Sequence, residues 1–390
     1  MRIETISIRN FRVFRNTTLE AIPPMSVLVG ANGSGKSTLF DVFGFLKDAL
    51  TENVYTAFAK RGGFQEVRSR GSDDPISVEI KFREGAGRLV TYHLSMVLAD
   101  GHPVVDREIL KYRRGRRGQP WKFLDFTRGR GQVITNEADY GKPDAEMQRE
   151  PQELDSPDIL AIKGLGQFQR FKVVSEFRKL IENWHASDFH VEEARPRHGA
   201  GYAEHLSRSG DNLALVTKFL YERHPAVFND ILKKMTRRVP GVSLVEATST
   251  VDGHVVLRFQ EGAFQDPFVA RQVSDGTIKM FAYLVLLHDP SPHPLLCVEE
   301  PENYLYPKLL SELAEEFRDY SLRGGQVFIS THSPDFLNGA NIDEIFWLEK
   351  RDGHSVVRRA KDIELLARLV QEGDKPGWLW SQGFFGVDLQ

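Results

Sequence analysis

At 390 residues, with 41% hydrophobic and 27% charged residues, the chain has the composition of a soluble globular protein, long enough for one large domain or two lobes. A net charge of −3 excludes a surface coated in positive charge but leaves room for a local basic groove. One cysteine, Cys297, excludes an internal disulfide framework, Met1-Arg2-Ile3-Glu4-Thr5 lacks the apolar stretch of a signal peptide, and the apolar run 280–288 is too short to span a bilayer. A cytoplasmic protein with no direct membrane insertion is expected.

Residues 2–13 alternate in the manner of a first strand, and 18–21 and 26–29 give further strands separated by Pro23-Pro24. The apolar run 25–29 leads into Gly30-Ala31-Asn32-Gly33-Ser34-Gly35-Lys36-Ser37, which reads G-x-x-x-x-G-K-[ST]. A helix is predicted from Thr38 to about Leu50. Strand, glycine loop and helix form the context in which such a loop cradles phosphates. Gly30, Gly33 and Gly35 let the backbone curl so that its N–H groups meet phosphate oxygens, and the helix N-terminus adds partial positive charge. Lys36 reaches the β- and γ-phosphates, and the Ser37 hydroxyl is a ligand for Mg²⁺. Asn32, Ser34 and Thr38 belong to the same cradle. The alternative is a chance glycine-rich turn, which the flanking strand and helix argue against.

Strands at 77–82 and 89–94 read as a hairpin, and 104–112 and 121–126 continue the antiparallel pattern. The polar stretch 113–150 carries Arg113, Arg114, Arg116, Arg117, Arg128 and Arg130. It reads as a nucleic-acid contact or as a solvated hairpin tip, and the second reading is preferred. Helical spacing follows at 159–184, 211–221 and 224–239, the last ending in Lys233, Lys234, Arg237 and Arg238, then strands at 242–247 and 254–259. No heptads are sustained and no repeat is present. A helix at 278–288, a buried strand at 294–298, an amphipathic helix at 308–321 and a second buried strand at 325–330 come next. Strands at 344–349 and 355–358 close the sheet, and a helix is predicted at 363–370. The aromatic tail 377–386 reads as packing on its own domain or as an interface anchor. The expected division is 1–100, an N-terminal core with a β-lobe; 101–265, an inserted mixed lobe; 266–360, the C-terminal core; and 361–390, a helix and tail.

Three more stretches carry chemistry. In Leu295-Leu296-Cys297-Val298-Glu299-Glu300-Pro301-Glu302-Asn303 an apolar strand ends in two carboxylates. Glu299 can hold Mg²⁺ through its water shell, and Glu300 can orient or activate the attacking water. The alternative, an acidic helix N-cap, weakens beside an upstream phosphate loop. In Gln326-Val327-Phe328-Ile329-Ser330-Thr331-His332-Ser333 a buried strand delivers His332 at its carboxyl end, where ligands of open parallel sheets sit. Gln272-Val273-Ser274-Asp275-Gly276-Thr277 opens a helix and makes a second anion site, or an ordinary Ser N-cap.

Together, in this order, these motifs resemble the ABC-type ATPases of the SMC/RecF/RecN-like branch, and more closely the stand-alone ATPases of prokaryotic defence systems. The resemblance covers roughly residues 1–100 and 265–350. It implies an α/β P-loop NTPase fold, an ABC-ATPase head, with an inserted α+β lobe and no long coiled coil. It places Arg12, in the N-terminal strand, near the nucleotide. It makes Ser274 and Gly276 a degenerate signature facing another copy's ATP, Glu300 and His332 the catalytic pair, and Glu299 a metal ligand where an aspartate is usual. Gln65 is the candidate Q-loop ligand of the metal; an ordinary loop glutamine is the alternative. The implied cofactors are ATP and Mg²⁺. The implied function is an ATP-hydrolysing switch that forms an ATP-sandwiched homodimer, or a higher even oligomer, and regulates an effector protein encoded nearby, such as a nuclease, in antiphage defence. A DNA repair ATPase that binds DNA directly through 113–130 or 233–238 is the alternative, and a transporter ATPase ranks last.

Overall fold

A computed structural model describes residues 1–83, 87, 89–112, 121–135, 146–196 and 198–386. The chain divides into two compact units, Met1–Trp184 with Phe346–Asp362, and His185–Ile345 with Ile363–Gln390.

The first unit is built on an eight-stranded antiparallel sheet. Its strands lie in the order Phe14–Leu19, Arg2–Phe11, Ile76–Arg83, Leu89–Ala99, His102–Tyr112, Trp121–Thr127, Arg130–Ile134 and Arg149–Glu153. Period-2 patterning sets its buried face: Ile76, Val78, Ile80 and Phe82 are all fully buried while their neighbours are partly exposed. The helix Lys172–Glu182 presents Val174, Phe177, Leu180 and Ile181 to the interior, and the Phe177 ring stacks on Phe82 at 4.6 Å. The strand Met25–Val29 is buried at every position, as expected of an inner strand, and leads to the helix Lys36–Thr51. That helix buries Leu39, Val42, Phe43, Phe45 and Leu46, with Phe45 against Phe11 and Phe58 at 5.7 and 4.7 Å. A hairpin of Ile345–Arg351 and His354–Arg359 flanks Met25–Val29.

The helical run predicted at 159–184 is two helices, Ala161–Leu165 and Lys172–Glu182. Helical spacing alone cannot show the break. The two helices are joined across Gly166, where a Cβ would meet the Ile162 carbonyl at 2.4 Å. The first is also fixed by a distant group: the Glu108 carboxylate accepts from the N–H groups of Ala161 and Ile162.

In the second unit the short strands His185–Ser187, Leu295–Glu299 and Gln326–Thr331 pair in parallel in that order. Val242–Ser249 and His254–Glu261 form an antiparallel pair, extended by His198–Gly199 and Phe268–Val269 on His254–Glu261. Apart from Lys279, the helix Asp275–Leu287 is apolar from Ile278 onward, and it is buried at every position from Thr277 to Leu287, the pattern of a central helix rather than a surface one. The aromatic tail folds onto its own unit. Leu379 and Phe385 are buried, and the Gly377 N–H donates to Asn338 Oδ1 at 3.0 Å. Among the described residues the longest helix has 16 residues, so no long coiled coil is present, and no helix is long and apolar enough to cross a membrane.

Candidate functional site

The phosphate loop lies in the first unit, between the buried strand Met25–Val29 and the helix Lys36–Thr51. Gly35 is the helix N-cap at φ 107°, left-handed backbone where a side chain is strained, and a Cβ there would also meet Ser355 Oγ at 2.6 Å. Gly33, at φ 76°, has open space on its outer side. Among the described residues the N–H groups of Asn32, Gly33 and Gly35 find no hydrogen-bond partner, and the buried Ser34 Oγ has none either. The Ser34 N–H between them donates to Ala31 O at 3.2 Å; the three unpaired N–H groups ahead of a helix N-terminus fit a polyphosphate anion. Lys36 is buried, with its ammonium donating to the carbonyls of Gly30 and Ala31 at 2.7 and 3.2 Å. The ammonium is thereby held at the loop, where a phosphate could replace a carbonyl as its acceptor. Ser37 and Thr38 follow in the first helical turn.

Arg12 sits at φ 49° with its guanidinium 3.0 Å from Asp41, in the second turn of the loop's helix. Arg61 pairs with the same carboxylate at 2.7 Å, so Arg12 is placed beside the loop's helix by Asp41, a residue the motif does not contain. Gln65 is exposed in the short helix Phe64–Val67. That helix is tied to Arg12 through the Arg12 N–H, which donates to Val67 O at 2.6 Å.

The acidic motif lies in the second unit. Four buried apolar residues, Leu295 to Val298, end in the exposed Glu299, which is in register with Ser330 of the neighbouring strand. Glu300 turns the chain at φ 43°, and its N–H donates to Ser330 O at 2.9 Å. This left-handed residue swings the second carboxylate out of the strand. Its Oε2 accepts from Asn303 Nδ2 at 3.1 Å, and its Oε1 lies 3.7 Å from His332 Nε2. Glu300 and His332, expected to act together, are therefore neighbours.

Two residues missing from the sequence-based set complete this cluster. Glu302 Oε1 accepts from Thr331 Oγ1 and from the His332 N–H, each at 2.8 Å, and so fixes the backbone that carries His332. Lys279 is buried, its ammonium 5.6 Å from the Tyr283 ring and 5.7 Å from the Tyr304 ring, and reaches Glu300 O at 3.5 Å. Burial pulls its pKa down to about 8, against the opposing pull of the Glu302, Glu300 and Asp188 carboxylates. The available signal was a single cation inside the otherwise apolar run 278–287.

Ser274 is the N-cap of Asp275–Leu287, its Oγ accepting from Thr277 N at 3.3 Å. The N-cap reading is realised, and the helix N-terminus it caps is a 13-residue helix. At Gly276 a Cβ would meet Tyr304 O at 2.7 Å, so this position needs glycine for the close approach of the turn after Glu300. Arg195 pins the segment. It donates to the carbonyls of Ala270, Arg271 and Val273 at 2.9, 3.2 and 3.0 Å and pairs with Asp275.

The basic stretches offer less. The arginine cluster 113–117 lies outside the described residues. Arg128 pairs with Asp106 and Arg130 with Glu153. In the second unit Lys234 and Arg238 are tied to Glu316, and Arg238 also to Glu312, which leaves only Lys233 and Arg237 of that cluster exposed.

A family model described as "AAA domain, putative AbiEii toxin, Type IV TA system" matches residues 119–338, and one described as "AAA ATPase domain" matches residues 1–173. No curated protein matches the sequence. Among solved structures the chain is similar to an Smc head bound to the C-winged helix domain of ScpA, with 15% identity, a TM-score of 0.56, and coverage of 92% of this chain and 98% of that one. It is also similar to an Smc head domain with an extended coiled coil, bound to the C-terminal domain of ScpA derived from Pyrococcus furiosus, with 15% identity, a TM-score of 0.50, and coverage of 94% and 99%. The α/β fold is that of an SMC-type ATPase head.

Proposed function

The chain belongs to the AAA-domain family whose description names the AbiEii toxin, and from that premise we propose that it is an ATP-driven switch that controls a partner effector protein. The observation that carries the reading is the loop 30–37, whose unpaired N–H groups, orphaned Ser34 hydroxyl and buried Lys36 suit a triphosphate. Arg12, Asn32, Gly33, Ser34, Gly35, Lys36, Ser37 and Thr38 bind the nucleotide. The Ser37 hydroxyl, the Glu299 carboxylate and the Gln65 amide are hard oxygen donors of the kind Mg²⁺ takes. When bound, that ion neutralises charge on the transferring phosphoryl group.

Glu300 orients the attacking water, and His332, steadied by Glu302, hydrogen-bonds the γ-phosphate. Water adds to the γ-phosphorus, the bond to the β-phosphate oxygen breaks, and ADP and phosphate leave. Ser274 and Gly276, at a helix N-terminus, hold the nucleotide of a second copy, so that ATP closes a homodimer and hydrolysis opens it. The family description, which names a toxin and a type IV toxin–antitoxin system, supports an effector-controlling role in defence.

Two variants test this reading in the full chain. Lys36→Ala should abolish ATP binding measured by calorimetry. Glu300→Gln should bind ATP, lose turnover by at least about 100-fold, and elute as an ATP-dependent dimer in size-exclusion chromatography. A Glu300→Gln protein that stays monomeric with saturating ATP refutes the sandwich.

A further inference from the structure

The geometry points to a separate transition-metal site formed by His205, Asp289 and His293, none of which has a part in the ATP chemistry above. One ligand atom from each lies within 4.8 Å of the other two. Three different elements deliver them. His205 comes from the loop that precedes the helix Leu213–Arg223, Asp289 from just past the end of Asp275–Leu287, and His293 from just before the strand Leu295–Glu299.

Two of the three are fixed in place. Asp289 is buried, and its Oδ1 accepts from Ser291 N at 2.8 Å, which turns Oδ2 toward His205 Nδ1 at 2.6 Å. The His293 carbonyl accepts from Tyr320 OH at 3.2 Å, and its ring stacks on His185 at 4.5 Å. His205, with 43% of its side chain exposed, is the adjustable member. Tetrahedral coordination with bonds of 2.0–2.1 Å puts ligand atoms roughly 3.3 Å apart. The nearest pair therefore has to open by about 0.7 Å, and the farthest to close by up to about 1.5 Å. The opening falls on His205, an exposed loop residue, and the closing on whichever of the three atoms stand farthest apart within that 4.8 Å limit.

The donor set selects the ion class. Two imidazoles and one carboxylate suit Zn²⁺ and its neighbours, whereas Mg²⁺ and Ca²⁺ seek oxygen. Three protein ligands leave one position for water, and Asp289 also lines a cavity of about 450 Å³ shared with Asp230, His288 and Arg323. Asp289 and His293 bracket the connection between the helix that begins at the signature and the strand that ends at Glu299. A bound ion ties that connection to the 205 loop, which makes it a brace for this unit.

Calorimetry with Zn²⁺ on the tag-free, full-length chain should give one saturable site, a higher melting temperature, and no competition from millimolar Mg²⁺. Co²⁺ should give the strong visible absorption of a four-coordinate site. His205→Ala and His293→Ala should each weaken binding by more than the roughly 100-fold that loss of a supporting group can cost. His205 is half-exposed, so its variant keeps the test valid if His293→Ala fails to fold. Absence of a 1:1 site at micromolar Zn²⁺, competition by Mg²⁺, or unchanged affinity in His205→Ala would each overturn the site and leave His205 and Asp289 as a simple hydrogen-bonded pair.

Discussion

Glu108 is carried by the strand His102–Tyr112. It is buried in the first unit, accepts from Tyr92 OH at 3.1 Å, and caps the helix Ala161–Leu165 through the N–H groups of Ala161 and Ile162. Burial raises its pKa from 4.5 to about 7, and the three hydrogen bonds oppose that rise without cancelling it. A carboxyl whose folded pKa lies above its unfolded value holds a proton that the unfolded chain has lost. Stability is therefore greatest below about pH 4.5 for this group and falls as pH rises toward about 7. At 1.36 kcal/mol per pH unit, that window corresponds to a loss of about 3 kcal/mol. Glu108→Gln removes the titration and turns an amide NH₂ against a backbone N–H, at a cost of about 1–3 kcal/mol. The wild type should therefore exceed Glu108→Gln in stability at pH 5, and the two should converge or cross by pH 8. The assay is urea denaturation across that range, with amide exchange of Ala161 and Ile162 as the local readout. A wild-type-minus-variant difference that does not change with pH refutes the assignment.

Further predictions follow from the second unit. Gly276→Ala puts a Cβ 2.7 Å from Tyr304 O, so it should lower stability by about 1–3 kcal/mol and depress ATP turnover, while nucleotide binding at the loop, read by calorimetry, stays intact. Lys279 has a folded pKa of about 8 against 10.5 unfolded, so the wild type should gain about 3 kcal/mol as pH rises through that interval. Lys279→Met should lack that gain, and equal slopes in the two proteins would exclude the assignment. Arg195→Ala removes the donor that pins Ala270, Arg271 and Val273 and the partner of Asp275. It should cost about 2–3 kcal/mol in urea denaturation and raise amide exchange at 270–277, and unchanged exchange there would show that the segment holds itself.

The features legible in the amino-acid sequence are those whose chemistry is local. The glycine loop, the apolar strands that deliver Glu299 and His332, and the Ser274 cap each depend on residue types at fixed short spacing, because a φ requirement, a strand period or an N-cap acts over a few residues. The α/β ATPase-head fold was legible for the same reason. The features the fold had to supply are pairs of residues far apart in the chain. Glu108 caps a helix 53 residues away, Arg195 holds Asp275 across 80, and His205 meets Asp289 across 84. The break in the 159–184 run and the burial of Lys279 belong with them. Burial and side-chain pairing are set by which surfaces the packed sheets and helices bring together, and the periodicity of a single segment does not record its neighbours.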